Sequence, residues 1–141
     1  MDLYVAVNGN DQWTGRLVRR NASKTDGPLA TLSGALRKLS VLRNRGELDG
    51  PVTVTMGGGR YEIAKPIVLT PADSWPLTIK ARPGEKPVIS GGRRISGWRK
   101  KKLNGVDVWQ ADIPEVRDGN WYFKELFVNG KRASRPRLPR K

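Results

Sequence analysis

Residues 51–92 read PVTVTMGGGRYEIAKPIVLTPADSWPLTIKARPGEKPVISGG, two passes of one pattern. Val52-Thr-Val-Thr-Met56 is a β-branched run that ends in glycines, and Leu77-Thr-Ile-Lys-Ala81 repeats it 25 positions on, with Gly59 matching Gly84. Runs of this kind bounded by Gly and Pro read as strands and corners. Pro66-Ile-Val-Leu69 answers Pro87-Val-Ile-Ser90 at a spacing of 21, which assigns Arg60 to Lys65 to a loop. Strand, glycine corner, proline and second strand, returning after about 20 to 25 residues, is the spacing of a solenoid coil. A solenoid needs about three or more repeats to bury a continuous core, so two coils predict the start of a longer array. Gly57-Gly-Gly59 lacks the Gly-Lys-Ser/Thr of a phosphate loop and leads into a strand, which makes it a corner.

Upstream, Met1-Asp-Leu-Tyr-Val-Ala-Val7 alternates as a strand. Asn8-Gly-Asn-Asp11 reads as a turn, the Asn-Gly pair supplying left-handed backbone and the side chains Asx turns; it has too few ligands for a dedicated calcium site. Residues 16–28 are basic and turn-rich and read as a loop, in which Asn21-Ala-Ser23 matches a glycosylation acceptor triplet that chance often supplies. A helix follows. Thr31 can cap it, Leu32, Ala35, Leu36, Leu39 and Leu42 form one apolar stripe, Arg37, Lys38 and Arg43 take other faces, and Gly46 or the next turn ends it. Laid across the end of stacked coils, such a helix covers exposed core and open strand edges.

Downstream, Arg93-Arg-Ile-Ser-Gly-Trp98 leads into the charged run Arg99-Lys-Lys-Lys102. Val106 to Ile113 alternates as a strand, Pro114 to Gly119 is turn-rich, and Trp121 to Val128 reads as a second strand, with Trp109 and Trp121 placed to pair across a hairpin. Asn129-Gly130 is a strong hairpin signal. After Ser134, two prolines and four like charges predict a disordered basic tail over residues 135–141.

The 141 residues include 16 Gly and 10 Pro, are 37% hydrophobic, and contain neither Cys nor His. Disulfides, thiolate or histidine zinc sites and a Ser-His triad are thereby excluded, leaving carboxylates, lysines or tyrosines for any acid–base chemistry. No run of about 18 apolar residues predicts a membrane span, and no basic-then-apolar leader is visible at the N-terminus. Net charge is +14. From Arg93 onward 14 basic residues stand against 5 acidic ones, a net +9 over the last 49 positions, against +5 over the first 92. Such a segment attracts polyanions.

The segments YVAVNGND, DGPLATLSGALRKL, GPVTVTMGGGRYEIAKPIVLTPADS, PLTIKARPGEKPVISGGRRISGW and WYFKELFVNGKRASRPRLP, in that order, span nearly the whole chain. Together they resemble the N-terminal region of right-handed parallel β-helix proteins of the pectate-lyase-like superfamily, above all its large bacterial glycoside hydrolases. The resemblance implies a mainly β fold: an opening strand, loop and capping helix over residues 1–50, the first β-helix coils over 51–92, and an antiparallel β insert over 93–134. It also implies several hundred further residues, with the catalytic carboxylates on later coils, so no catalytic residue is assigned. The family is mostly secreted or periplasmic; the compartment of this chain stays open.

Glycoside hydrolysis needs two carboxyl groups roughly 5 to 9.5 Å apart. Asp107 and Asp112, five apart on one expected strand, face opposite sides, and Asp73 falls in a turn. The expected function is therefore that of a truncated N-terminal segment of a carbohydrate-active β-helix enzyme, hydrolase or lyase, structural in itself, with no cofactor. The alternative is a basic binding module for acidic polysaccharide or nucleic acid, with Trp98, Trp121, Tyr122, Arg132, Arg135 and Arg137 as its contacts. Self-association is expected through an uncovered coil face carrying Val68, Ile79 and Ile89.

Overall fold

The computed structural model describes residues 1–134, so the tail at 135–141, with Arg135 and Arg137, lies outside the described residues. The chain divides into a unit of Met1–Arg93 and a unit that begins at Arg94.

The first unit is built on parallel pairing. Strand β1 (Asp2–Val5) is followed by helix α1 (Leu32–Asn44), β2 (Val52–Met56), β3 (Gly59–Glu62), β4 (Leu77–Ala81) and β5 (Pro87–Ser90). One sheet has the order β1-β2-β4, and β3 pairs with β5. Leu3 aligns with Val54 and Val54 with Ile79, so the pleat stacks like residues on like. The core gathers Leu3 and Val5 from β1, Val52, Val54 and Met56 from β2, and Leu32, Ala35 and Leu39 from α1, with Leu29 and Tyr61. Each fully buried aliphatic side chain stabilises the unit by about 1.5 to 3 kcal/mol.

Helix α1 ends as its sequence dictates. The Thr31 hydroxyl oxygen accepts from the Gly34 N–H at 2.8 Å. At the other end Gly46, at φ +70°, donates to the Arg43 carbonyl while Glu47 donates to that of Leu42, the pair of bonds of a Schellman motif. Arg43, off the apolar stripe, is nevertheless half-buried, and its Nη1 is enclosed without a hydrogen-bond partner.

The spacing of 25 for the first strands holds, since Val52 pairs with Leu77. The spacing of 21 does not: Pro87 pairs with Gly59, an offset of 28, and residues 66–69 form no strand. The strand falls on Gly-Arg-Tyr-Glu because Tyr61 can bury its ring and donate its hydroxyl to the Gly57 carbonyl at 2.7 Å. Val68 is left 72% exposed. The extra three residues lie in the corner between β4 and β5, where Glu85 turns back to accept the Gly58 N–H.

The loop before α1 also differs in detail. Its last residues, Pro28 and Leu29, are buried, and Leu29 bridges Val5 in parallel. In the Asn8–Asp11 turn the Asx bond is present, Asn10 Oδ1 accepting from the Gln12 N–H at 2.9 Å. Asn8 and Gly9 are not left-handed, however; Gly9 lies against the Pro28 and Leu29 carbonyls, where an added Cβ would stand 2.3 Å from the Leu29 oxygen.

The second unit is antiparallel. Strand β6 (Arg99–Leu103) pairs with β7 (Val106–Gln110), a one-turn helix α2 (Pro114–Arg117) follows, and β8 (Phe127–Val128) pairs with β9 (Lys131–Arg132). Asn104-Gly105 and Asn129-Gly130, with φ of +49/+80° and +49/+77°, turn the two hairpins. The charged run Arg99–Lys102 is thus a strand, and it displaces the expected pairing of Trp109 with Trp121: a two-residue turn brings Lys100 opposite Trp109. Of the expected strand from Trp121 to Val128 only the last two residues pair, and β7 stops before Asp112. Among the described residues of this unit none is fully buried.

Candidate functional site

Four carboxylates of the first unit, Asp11, Asp26, Asp73 and Glu85, accept hydrogen bonds from the backbone. Asp11 Oδ1 accepts from the Ala30 and Thr31 N–H groups, each at 2.9 Å, and its Oδ2 from the Thr31 hydroxyl at 2.7 Å, which fixes the start of α1. Asp26 receives the Thr14 N–H at 2.7 Å and the Thr14 hydroxyl, and these bonds hold its carboxyl below the ordinary range. The Thr70 N–H and hydroxyl do the same for Asp73, both at 2.7 Å, as expected for a turn-holding residue. Glu85 is lowered by the Gly58 N–H first and by Arg82 beside it. A general acid needs the opposite displacement from that of Asp26, Asp73 and Glu85, so these three read as pins.

A cavity of about 310 Å³ opens beside α1, floored by Leu36, Leu39, Val52 and Leu77 and edged by Arg43, Asp73 and Trp75. The Trp75 indole N–H is engaged by the Gly50 carbonyl at 2.7 Å. The cavity therefore has an apolar floor and a single carboxylate at its edge, Asp73, which is held by Thr70, so its lining lacks the two carboxyl groups of a glycosidase pair. Sequence reasoning missed it because it set Arg43 apart from the apolar stripe of α1.

Of the expected contact residues, Trp98, Trp121, Tyr122 and Arg132 lie among the described residues of the second unit. Trp98 donates its indole N–H to the Ile95 carbonyl at 3.0 Å. Trp121 is half-buried with its ring 5.1 Å from that of Phe123, while Tyr122 is 67% exposed. Arg132, expected as a polyanion contact, pairs with Glu125 at 2.8 Å. Trp109, expected to pair with Trp121, stands instead on β7 with the Lys100 ammonium 5.7 Å from its ring centroid. A strand pairing of Lys100 with Trp109 was hidden by the run of four cations, whose composition shows no alternation.

Among the described residues no cluster of three or more His, Cys, Asp or Glu side chains is placed to hold a metal ion, and no helix is long and apolar enough to cross a membrane. No family model matches the sequence, and no curated protein matches it. The chain is similar to a solved structure described as "Glycoside hydrolase": the two are 34% identical with a TM-score of 0.73 over 95% of this chain, which spans 21% of the length of that one.

Proposed function

We propose that this chain forms the opening section of a carbohydrate-active right-handed β-helix enzyme of glycoside hydrolase type, supplying the first strand, the covering helix and the first two coils. The observation that carries this reading is the likeness, over 95% of the chain, to a glycoside hydrolase of which it spans 21%. The parallel ladders support it. Offsets of 25 from β2 to β4 and 28 from β3 to β5 lay each pair of strands beside the pair before it. The outer edges of β4 and β5 then offer a template for a further coil, with Ile79, Val88 and Ile89 exposed. In a chain without that coil the same edges favour self-association. The chemistry belongs to carboxylates outside these 141 residues, in a hydrolase or a lyase.

The reading is tested by the coding DNA beyond codon 141. Further strands at steps of about 25 to 28 residues are expected in the same frame or in a partner gene, and their absence from both would overturn it. The isolated chain is expected to release no reducing ends from polysaccharides; turnover by the purified chain, lost in carboxylate variants, would overturn its structural role.

A further inference from the structure

Strand β6 carries Arg99, Lys100, Lys101 and Lys102 in succession, and all of them are exposed. The pleat alternates them, so Lys100 and Lys102 share one face of the hairpin with Trp109, and Arg99 and Lys101 take the other. Same-face cations on a strand stand about 7 Å apart, inside the Debye length of about 8 Å at physiological salt, so they repel one another. Three of the unit's five carboxylates are engaged elsewhere. Asp112 and Asp118 pair with Arg117, at 3.4 and 3.3 Å, and Glu125 pairs with Arg132. Among the described residues no ion pair joins any of the four β6 cations to a carboxylate, although Lys102 lies opposite Asp107 in register. Trp109 is 63% exposed beside them.

We propose that the β6–β7 hairpin, Arg99 to Gln110, is a binding ribbon for acidic polysaccharide. On the face shared with Trp109, a chain of sugar carboxylates would neutralise Lys100 and Lys102, and the Trp109 ring would stack on the apolar face of a sugar beside them. This assigns the polyanion contact to the hairpin rather than to Trp98, Trp121, Tyr122 and the C-terminal arginines. It rests on the carbohydrate reading above, which selects glycan over nucleic acid as the partner.

The test uses the full 141-residue chain and titrates it with polygalacturonate, with its methyl ester and with oligo(dT), each at two salt concentrations. Polygalacturonate is expected to bind at low salt and weaken as salt rises, while the uncharged ester does not bind. The triple variant Lys100→Glu/Lys101→Glu/Lys102→Glu is expected to lose at least about tenfold in affinity, and Trp109→Ala to weaken polygalacturonate further than charge alone explains. A control with the same change of net charge, Lys24→Glu/Lys65→Glu/Lys86→Glu, is expected to lose much less. Matching thermal melts establish that each variant is folded. Equal losses in the two triple variants would overturn the ribbon by showing an effect of net charge only, and so would tighter binding to oligo(dT) than to polygalacturonate. No binding of polygalacturonate at low salt overturns it as well. Each of these outcomes leaves the coding-DNA test of the β-helix reading untouched.

Discussion

The two units of the chain hold themselves together by different means. In Met1–Arg93 a continuous set of buried apolar side chains runs from Leu3 to Tyr61, tied by parallel ladders between residues far apart in sequence. From Arg94 to Ser134 none is fully buried, and the pairing is local, each hairpin closed by an Asn-Gly turn. Folding in the first is driven by burial, which falls on a few positions. In the second, turn chemistry and charge set the backbone, and no single side chain dominates. Mutations in the first unit are therefore expected to report on stability, and those in the second on what the surface binds.

Leu3→Ala tests the contrast most strongly. Leu3 is 0% exposed, and its truncation is expected to cost about 2 to 5 kcal/mol, whereas Val106→Ala, at a residue 64% exposed, should stay within about 0.5 kcal/mol. Denaturant unfolding of both variants measures the pair; similar losses would erase the distinction. Tyr61→Phe comes next. It removes the donor that serves the buried Gly57 carbonyl and is expected to cost about 1 to 3 kcal/mol by the same measurement. Thr31→Ala deletes the cap of α1 and is expected to cost about 1 kcal/mol, with a loss of helical circular dichroism on heating that precedes the main transition.

Acidity acts more diffusely. Asp26, Asp73 and Glu85 all titrate below their ordinary values in the folded chain. Groups with lowered folded pKa contribute stability in full above the unfolded value, about 4, and lose it as pH falls through the folded one. Melting temperature is thus expected to be flat from pH 7 to about 5 and to fall on further acidification. Glu85→Gln should make that acid limb shallower, and a limb unchanged in the variant would remove Glu85 from the account.

Much of the first unit was legible in the sequence because its signals are local and redundant. Thr31, the leucine stripe and Gly46 specify one helix, and two β-branched runs 25 residues apart specify one ladder. The second strands were misplaced because apolar content pointed to Pro66–Leu69, while the fold selects Gly59–Glu62 for one tyrosine whose ring and hydroxyl both find partners. Strand β6 was hidden for the opposite reason. Nothing in Arg-Lys-Lys-Lys alternates, and its identity comes from Asn104-Gly105 and the partner strand beyond it. The candidate ribbon was visible as charge, but the face shared by Lys100, Lys102 and Trp109 exists only once the register is known.

The first strand has a long wait built into it. Asp2 pairs with Thr53, fifty-one positions later, whereas α1 needs only its own thirteen residues to close its hydrogen bonds. In a chain synthesised at about 5 to 20 residues per second, β1 leaves the ribosome several seconds before its ladder partner exists. Through that interval Leu3 and Val5 have only the Leu29 segment and the helix to shelter them. Strand β1 is secured no earlier than β2, so an error at Val52 to Met56 is felt first in β1.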